Sequence, residues 1–126
     1  MKRIYVAGSY ACAGRCEPIG VDLISMRAGI EACLKVLYHG MAPFCPWLDY
    51  LFVLMDRQRC LPEKWYYDYS IAFLEVCDAM WVINQRGNGY GVAKEIEIAE
   101  GMGIPIFYRF EDLGDWNARC IRRMMG

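Results

Sequence analysis

The chain carries one histidine and no Cys-x-x-Cys pair, so it is poorly supplied for a zinc site of ordinary ligand spacing. Cys12 and Cys16 are the one closely spaced pair that invites a metal, and with a single histidine in the chain no metal site and no cofactor are expected. The seven cysteines, Cys12, Cys16, Cys33, Cys45, Cys60, Cys77 and Cys120, are odd in number and read as reduced thiols, not as a disulfide framework. An excess of either charge is also missing. Formal net charge is −1, from 14 basic and 15 acidic side chains interspersed along the chain. That balance excludes a broad phosphate-backbone or membrane-surface partner, so neither a nucleic acid polymer nor a membrane is expected and a small molecule is the default ligand. No apolar run approaches the roughly 18 residues of a membrane span. Met1-Lys2-Arg3 leads straight into a strand pattern with no secretory leader, and the expected location is cytoplasmic.

What is present is 126 residues at 56% hydrophobic content, enough for one domain, 1–126, with a real core. Residues 3–9 read as a first strand ending in a glycine turn, and 10–20 as a small-residue loop. From Val21 to Tyr38 the residues Leu23, Met26, Ile30, Cys33, Leu34 and Leu37 fall at helical spacing, and Gly40 closes the helix beside His39, a helix-end cation. Met41 to Trp47 is a short strand interrupted by Pro43 and Pro46. Tyr50 to Met55 is apolar and suits a cover or a subunit interface. Leu61-Pro62-Glu63 opens a helix continuing through Val76, whose Tyr66, Tyr69, Phe73 and Val76 are expected to be mostly core. Strand 79–84, helix 92–102, strand 105–110 and a final helix from Asp112 or Asp115 to Met125 complete the chain. This alternation predicts an α/β protein: a three-layer, flavodoxin- or Rossmann-like fold around a mainly parallel sheet of four to five strands.

Chemistry concentrates between residues 77 and 100. An apolar strand is followed by a turn holding Gly87, Asn88, Gly89 and Gly91, and then by a helix, the joint at which open α/β sheets bind ligands. At 100° per residue, Val92, Ile96 and Ala99 mark the buried stripe of that helix, and Glu95 lies roughly 40° from its centre. The first helical turn favours an ionised carboxylate and burial opposes it, so the sign of the pKa shift is open at this level. An enclosed, ionised carboxylate can attack an anomeric carbon and form a covalent glycosyl-enzyme. It can equally hydrogen-bond loop amides and fix the turn.

Residues 4–9 (Ile-Tyr-Val-Ala-Gly-Ser), 74–79 (Leu-Glu-Val-Cys-Asp-Ala) and 89–99 (Gly-Tyr-Gly-Val-Ala-Lys-Glu-Ile-Glu-Ile-Ala) resemble the nucleoside 2-deoxyribosyltransferase-like superfamily, in particular its small DUF4406-type members common in phages and bacteria. The resemblance implies Glu95 as nucleophile and Tyr5 as its first-strand partner. Two positions depart from the catalytic pattern: Gly89 stands where a Ser or Asp contacts the sugar or phosphate, and Ser70 where an Asp handles the base. Asp68 or Asp49 is then a substitute acid for the leaving base; each also reads as a helix-start or turn carboxylate. Gly8, Ser9, Arg15, Asn88 and Gly91 complete the candidate binding set, with Arg15 as a phosphate clamp or an exposed loop arginine.

The leading expectation is an enzyme acting at the N-glycosidic bond of a deoxynucleoside or its monophosphate, by hydrolysis or deoxyribosyl transfer. The alternatives are a protein that binds a nucleotide or nucleotide-derived signal without cleaving it, and an NAD glycosidase. The resemblance also implies a homo-oligomer, since catalytic relatives complete each site with a neighbouring subunit.

Overall fold

A computed structural model describes residues 1–8, 23–56, 61–84 and 90–125. Strand β1 (Arg3–Gly8) shows why both sheet faces are covered. Successive side chains alternate across a strand, and here Ile4 and Val6 on one side and Tyr5 and Ala7 on the other are all fully buried. Strand β3 (Ala79–Asn84) repeats the pattern: Ala79 and Trp81 join Ile4 and Val6, while Met80 and Val82 join Tyr5 and Ala7. Helix α1 (Leu23–Tyr38) and helix α5 (Phe110–Met125) cover the first face, through Cys33 and Val36 and through Leu113. Helix α3 (Glu63–Leu74) and helix α4 (Tyr90–Met102) cover the second, through Leu74 and through Val92 and Ala99. Two further strands, β2 (Ala42–Phe44) and β4 (Ile106–Phe107), lie at the edges.

Among the described residues the four strands are all parallel, in the order β2-β1-β3-β4, with Tyr5 opposite Phe44 on one side and Met80 on the other. The architecture is the three-layer Rossmann-like one that the alternation of elements predicts. Asp78 ties its centre together at the amino edge: its backbone N–H donates to Arg3 O at 2.8 Å, and its carboxylate accepts from Arg3 N at 2.8 Å. Gly40 and Gly103, at φ 79° and 75°, take the left-handed position just past α1 and α4, where a side chain is strained. Among the described residues no helix is long and apolar enough to cross a membrane.

Three kinds of sequence expectation need correction: strand length, the inward face of α1 and the burial of the α3 aromatics. The strand expected over 41–47 stops at Phe44, because Pro46 starts a 3₁₀ turn (Pro46–Leu48) that runs directly into helix α2 (Asp49–Met55). The strand expected over 105–110 is likewise only Ile106–Phe107, since Phe110 already opens α5.

Helix α1 is rotated by roughly a quarter turn from the expected stripe. Gly29, Cys33 and Val36 face inward, while Ile30, Leu34 and Leu37 are 42%, 50% and 52% exposed. The cause is Trp47, whose fully buried indole lies against Gly29 so closely that a Cβ there would overlap the ring. The helix must present its smallest residue to the largest core side chain.

The aromatic residues of α3 are the third case. Tyr69, Phe73 and the following Val76 are exposed by more than a third, and Ser70 and Leu74 take the buried line instead. The exposed rings pack on one another and on β2: Phe73 stacks on Phe44 with centroids 4.6 Å apart, and Tyr69 meets Phe52 edge-on at 5.8 Å.

Candidate active site

The strand order reverses between β1 and β3, and the crevice outside their carboxyl ends is where such sheets take ligands. Packing around that crevice is tight. A Cβ on Gly8 would come within 2.8 Å of Ile83 Cγ1 and 2.9 Å of Trp47 Cζ2, so glycine is required there by the core itself. Trp47, wedged between Gly8 and Gly29, anchors the 3₁₀ turn, and the turn delivers Asp49 two residues later as the first residue of α2. Asp49 is buried, with 6% of its surface exposed.

Tyr5 points from β1 toward α4, and its hydroxyl donates a hydrogen bond to the carboxylate of Glu95. Glu95 lies three residues after Val92 and four before Ala99, both in the Tyr5 core cluster, so it is carried inward on the flank of the buried stripe as its wheel position implies. Burial raises its pKa, the Tyr5 hydrogen bond pulls the other way, and the negative charge of Asp49 raises it further, to about 7. The sign left open by the sequence is therefore upward: loss of hydration outweighs the favourable hydrogen bond.

The pKa of Tyr66 on α3 is raised by burial and then by the charges of Asp56 and Asp49. No sequence signal singles out Tyr66, because α3 aromatics at helical spacing all look alike. The structure thus brings Tyr5, Glu95 and Asp49 to one region.

Asp68 is exposed and forms an i,i+4 ion pair with Lys64 at 2.5 Å. Ser70 is buried one turn before Leu74 on the core side of α3. Gly91 lies in the first turn of α4. Ser9, Arg15, Asn88 and Gly89 lie outside the described residues. His39, just past α1, donates from Nδ1 to Lys35 O at 2.8 Å and meets Phe110 edge-on at 4.7 Å, a helix-end role.

On the opposite sheet face, a shallow groove of about 350 Å³ runs between α1 and β3, lined in part by Glu31, Lys35, Trp81 and Asn84. It is separated from Glu95 by the sheet. That face also holds two thiols in contact, Cys33 of α1 and Cys45 at the end of β2, neither of them in a disulfide.

Two carboxylates, one of which holds a proton near neutral pH, and a phenol donor can position, protonate or attack a polar small molecule. Neither a curated protein nor a solved structure matches the chain. A family described as a domain of unknown function, DUF7768, matches residues 4–109, and the chain belongs to that family.

Proposed function

We propose that this protein acts at the N-glycosidic bond of a deoxynucleoside or deoxynucleoside monophosphate, with Glu95 as the nucleophile. The observation that carries the reading is the enclosed Glu95 carboxylate, oriented by the Tyr5 hydroxyl and set beside a second buried carboxylate, Asp49. The sequence resemblance to the nucleoside 2-deoxyribosyltransferase-like superfamily, carried by residues 4–9, 74–79 and 89–99, assigns the same two residues to the same partnership. Ionised Glu95 attacks the anomeric carbon as the bond to the base breaks, and water or a second nucleoside base resolves the glycosyl-glutamate.

Asp49, buried beside Glu95, is better placed to contact the departing base than Asp68, whose carboxylate is already engaged by Lys64 at the surface. Tyr5 orients the Glu95 carboxylate and favours its ionised form. Because the nucleophile must be ionised, turnover rises with pH through about 7. A second copy of the chain is part of the proposal: Leu51, Phe52 and Met55 of α2 and Trp65 of α3 leave an apolar surface that a homo-oligomer would cover.

The test is incubation with a panel of deoxynucleosides and their monophosphates, followed by chromatography for free or exchanged base. Base release that disappears in Glu95→Gln supports the reading. Absence of release from every compound, or full activity in Glu95→Gln, overturns it. A second reading, binding of a nucleotide without cleavage, is favoured by Gly89 and Ser70, which stand where the catalytic pattern has a Ser or Asp and an Asp. Thermal stabilisation by a nucleotide recovered intact would support it.

A further inference from the structure

The core face opposite Glu95 contains a chemical feature that glycosidic chemistry does not use. Cys33, 6% exposed, and Cys45, partly buried, pack in the same core cluster, and the Cys33 S–H donates to the Cys45 sulfur. Cys33 sits on α1 and Cys45 directly follows β2, so a bond between them would span the α1–β2 connection. Both are free thiols.

The two sulfurs differ in character. Cys33 is held above the ordinary thiol range, chiefly because it keeps the proton shared with Cys45 and also because it is buried. Cys45 is held below that range by the Cys33 hydrogen bond. Burial opposes this, and the Trp47 and Leu48 N–H groups assist without full capping geometry; Asp49 opposes it too. A thiolate-prone, partly exposed sulfur beside a protonated buried one is the pairing needed for attack followed by resolution.

We propose that Cys33 and Cys45 form a redox-active dithiol that a low-molecular-weight disulfide closes to an intramolecular disulfide, and that closure regulates the Glu95 site by moving the segment that carries Asp49. The regulatory half rests on the reading of Glu95 and Asp49 as one site; the disulfide chemistry does not. Cys45 thiolate attacks one sulfur of the small disulfide, forming a mixed disulfide and expelling one thiolate. Cys33 then gives up its proton and attacks Cys45 Sγ, forming the Cys33–Cys45 bond and expelling the second thiolate. Two protein thiols are oxidised and one small disulfide is reduced to two thiols.

The link to Asp49 is mechanical. An S–S bond of about 2.05 Å is shorter than any thiol–thiol contact, so closure draws Cys45 toward α1. Pro46, Trp47 and Leu48 follow Cys45 without a break, and Asp49 is next. Helix α1 covers the face away from Glu95, so the movement withdraws Asp49's charge from Glu95.

The whole chain, equilibrated with reduced and oxidised glutathione, alkylated and peptide-mapped by mass spectrometry, provides the test. The expected result is a Cys33–Cys45 linked peptide lighter by two hydrogens than its reduced parts, with glutathione accumulating on Cys45 in Cys33→Ala. Cys33 and Cys45 both remaining alkylatable in oxidised glutathione overturns the dithiol, as does preferential linkage of either to another cysteine. Carboxyl NMR of Glu95 in the two redox states checks the regulation without requiring turnover. A midpoint below about 7 in the oxidised protein supports it, and an unchanged or raised midpoint overturns it. Failure of the base-release assay leaves both measurements intact.

Discussion

The hydroxyl of Tyr5, at the centre of β1, donates to the Glu95 carboxylate on α4 while the Asp49 charge acts on that carboxylate from α2. One neighbour favours the ionised form and the other disfavours it, so their removal has opposite signs.

Tyr5→Phe therefore moves the Glu95 midpoint up from about 7, and Asp49→Asn moves it down. A hydrogen bond to a charged group contributes about 1.5–3 kcal/mol, equivalent to a rise of about one pH unit or more for Tyr5→Phe. Carboxyl NMR titration of the two variants checks this. Midpoints moving in the same direction would show that the three residues do not form one electrostatic unit.

Glu95 also makes stability depend on pH. Its folded-state pKa, about 7, lies above the ordinary 4.5, so between those values the folded protein binds more protons than the unfolded chain. Stability from this residue is full below about pH 4.5 and declines as pH rises through about 7. The whole effect amounts to about 3 kcal/mol. Glu95→Gln, uncharged at every pH, should be more stable than the native chain at pH 8 by up to about that amount, with the gain vanishing near pH 4.5. Chemical denaturation at the two pH values measures it, and a pH-independent difference would contradict the buried-carboxylate account.

Gly29 and Trp47 give a prediction about packing. Alanine in a helix interior is favoured over glycine by about 1 kcal/mol. At position 29, however, the added methyl overlaps a fully buried indole. Overpacking of this kind costs about 1–3 kcal/mol, so Gly29→Ala should be net destabilising by up to about 2 kcal/mol. In a Trp47→Leu background, where the ring is gone, the same substitution should be neutral or stabilising. A double-mutant cycle by urea denaturation detects the change of sign.

Much of the fold is legible in the residues themselves. The apolar run at 79–83 identifies a central strand because a strand buried on both faces needs no polar alternation. Gly40 marks the end of α1 because only glycine enters the left-handed region without strain. Glu95 is placed near the buried face of α4 by helical spacing alone, since that geometry is local.

What the linear pattern does not contain is the choice among equivalent faces and carboxylates. Helix α1 has enough apolar residues for two faces, and only the Trp47 ring, arriving from beyond β2, decides that Gly29 turns inward and Ile30, Leu34 and Leu37 turn out. Asp49 and Asp68 look alike as turn and helix carboxylates. Tertiary packing buries Asp49 beside Glu95 and leaves Asp68 in water with Lys64. Nor does any spacing rule bring Cys33 to Cys45. The sequence by itself determined the alternating α/β architecture and the inward carboxylate, both products of short-range periodicity. The tertiary structure alone decided which charges and thiols meet, because electrostatic shifts and sulfur contacts depend on distances between segments that the chain order leaves free.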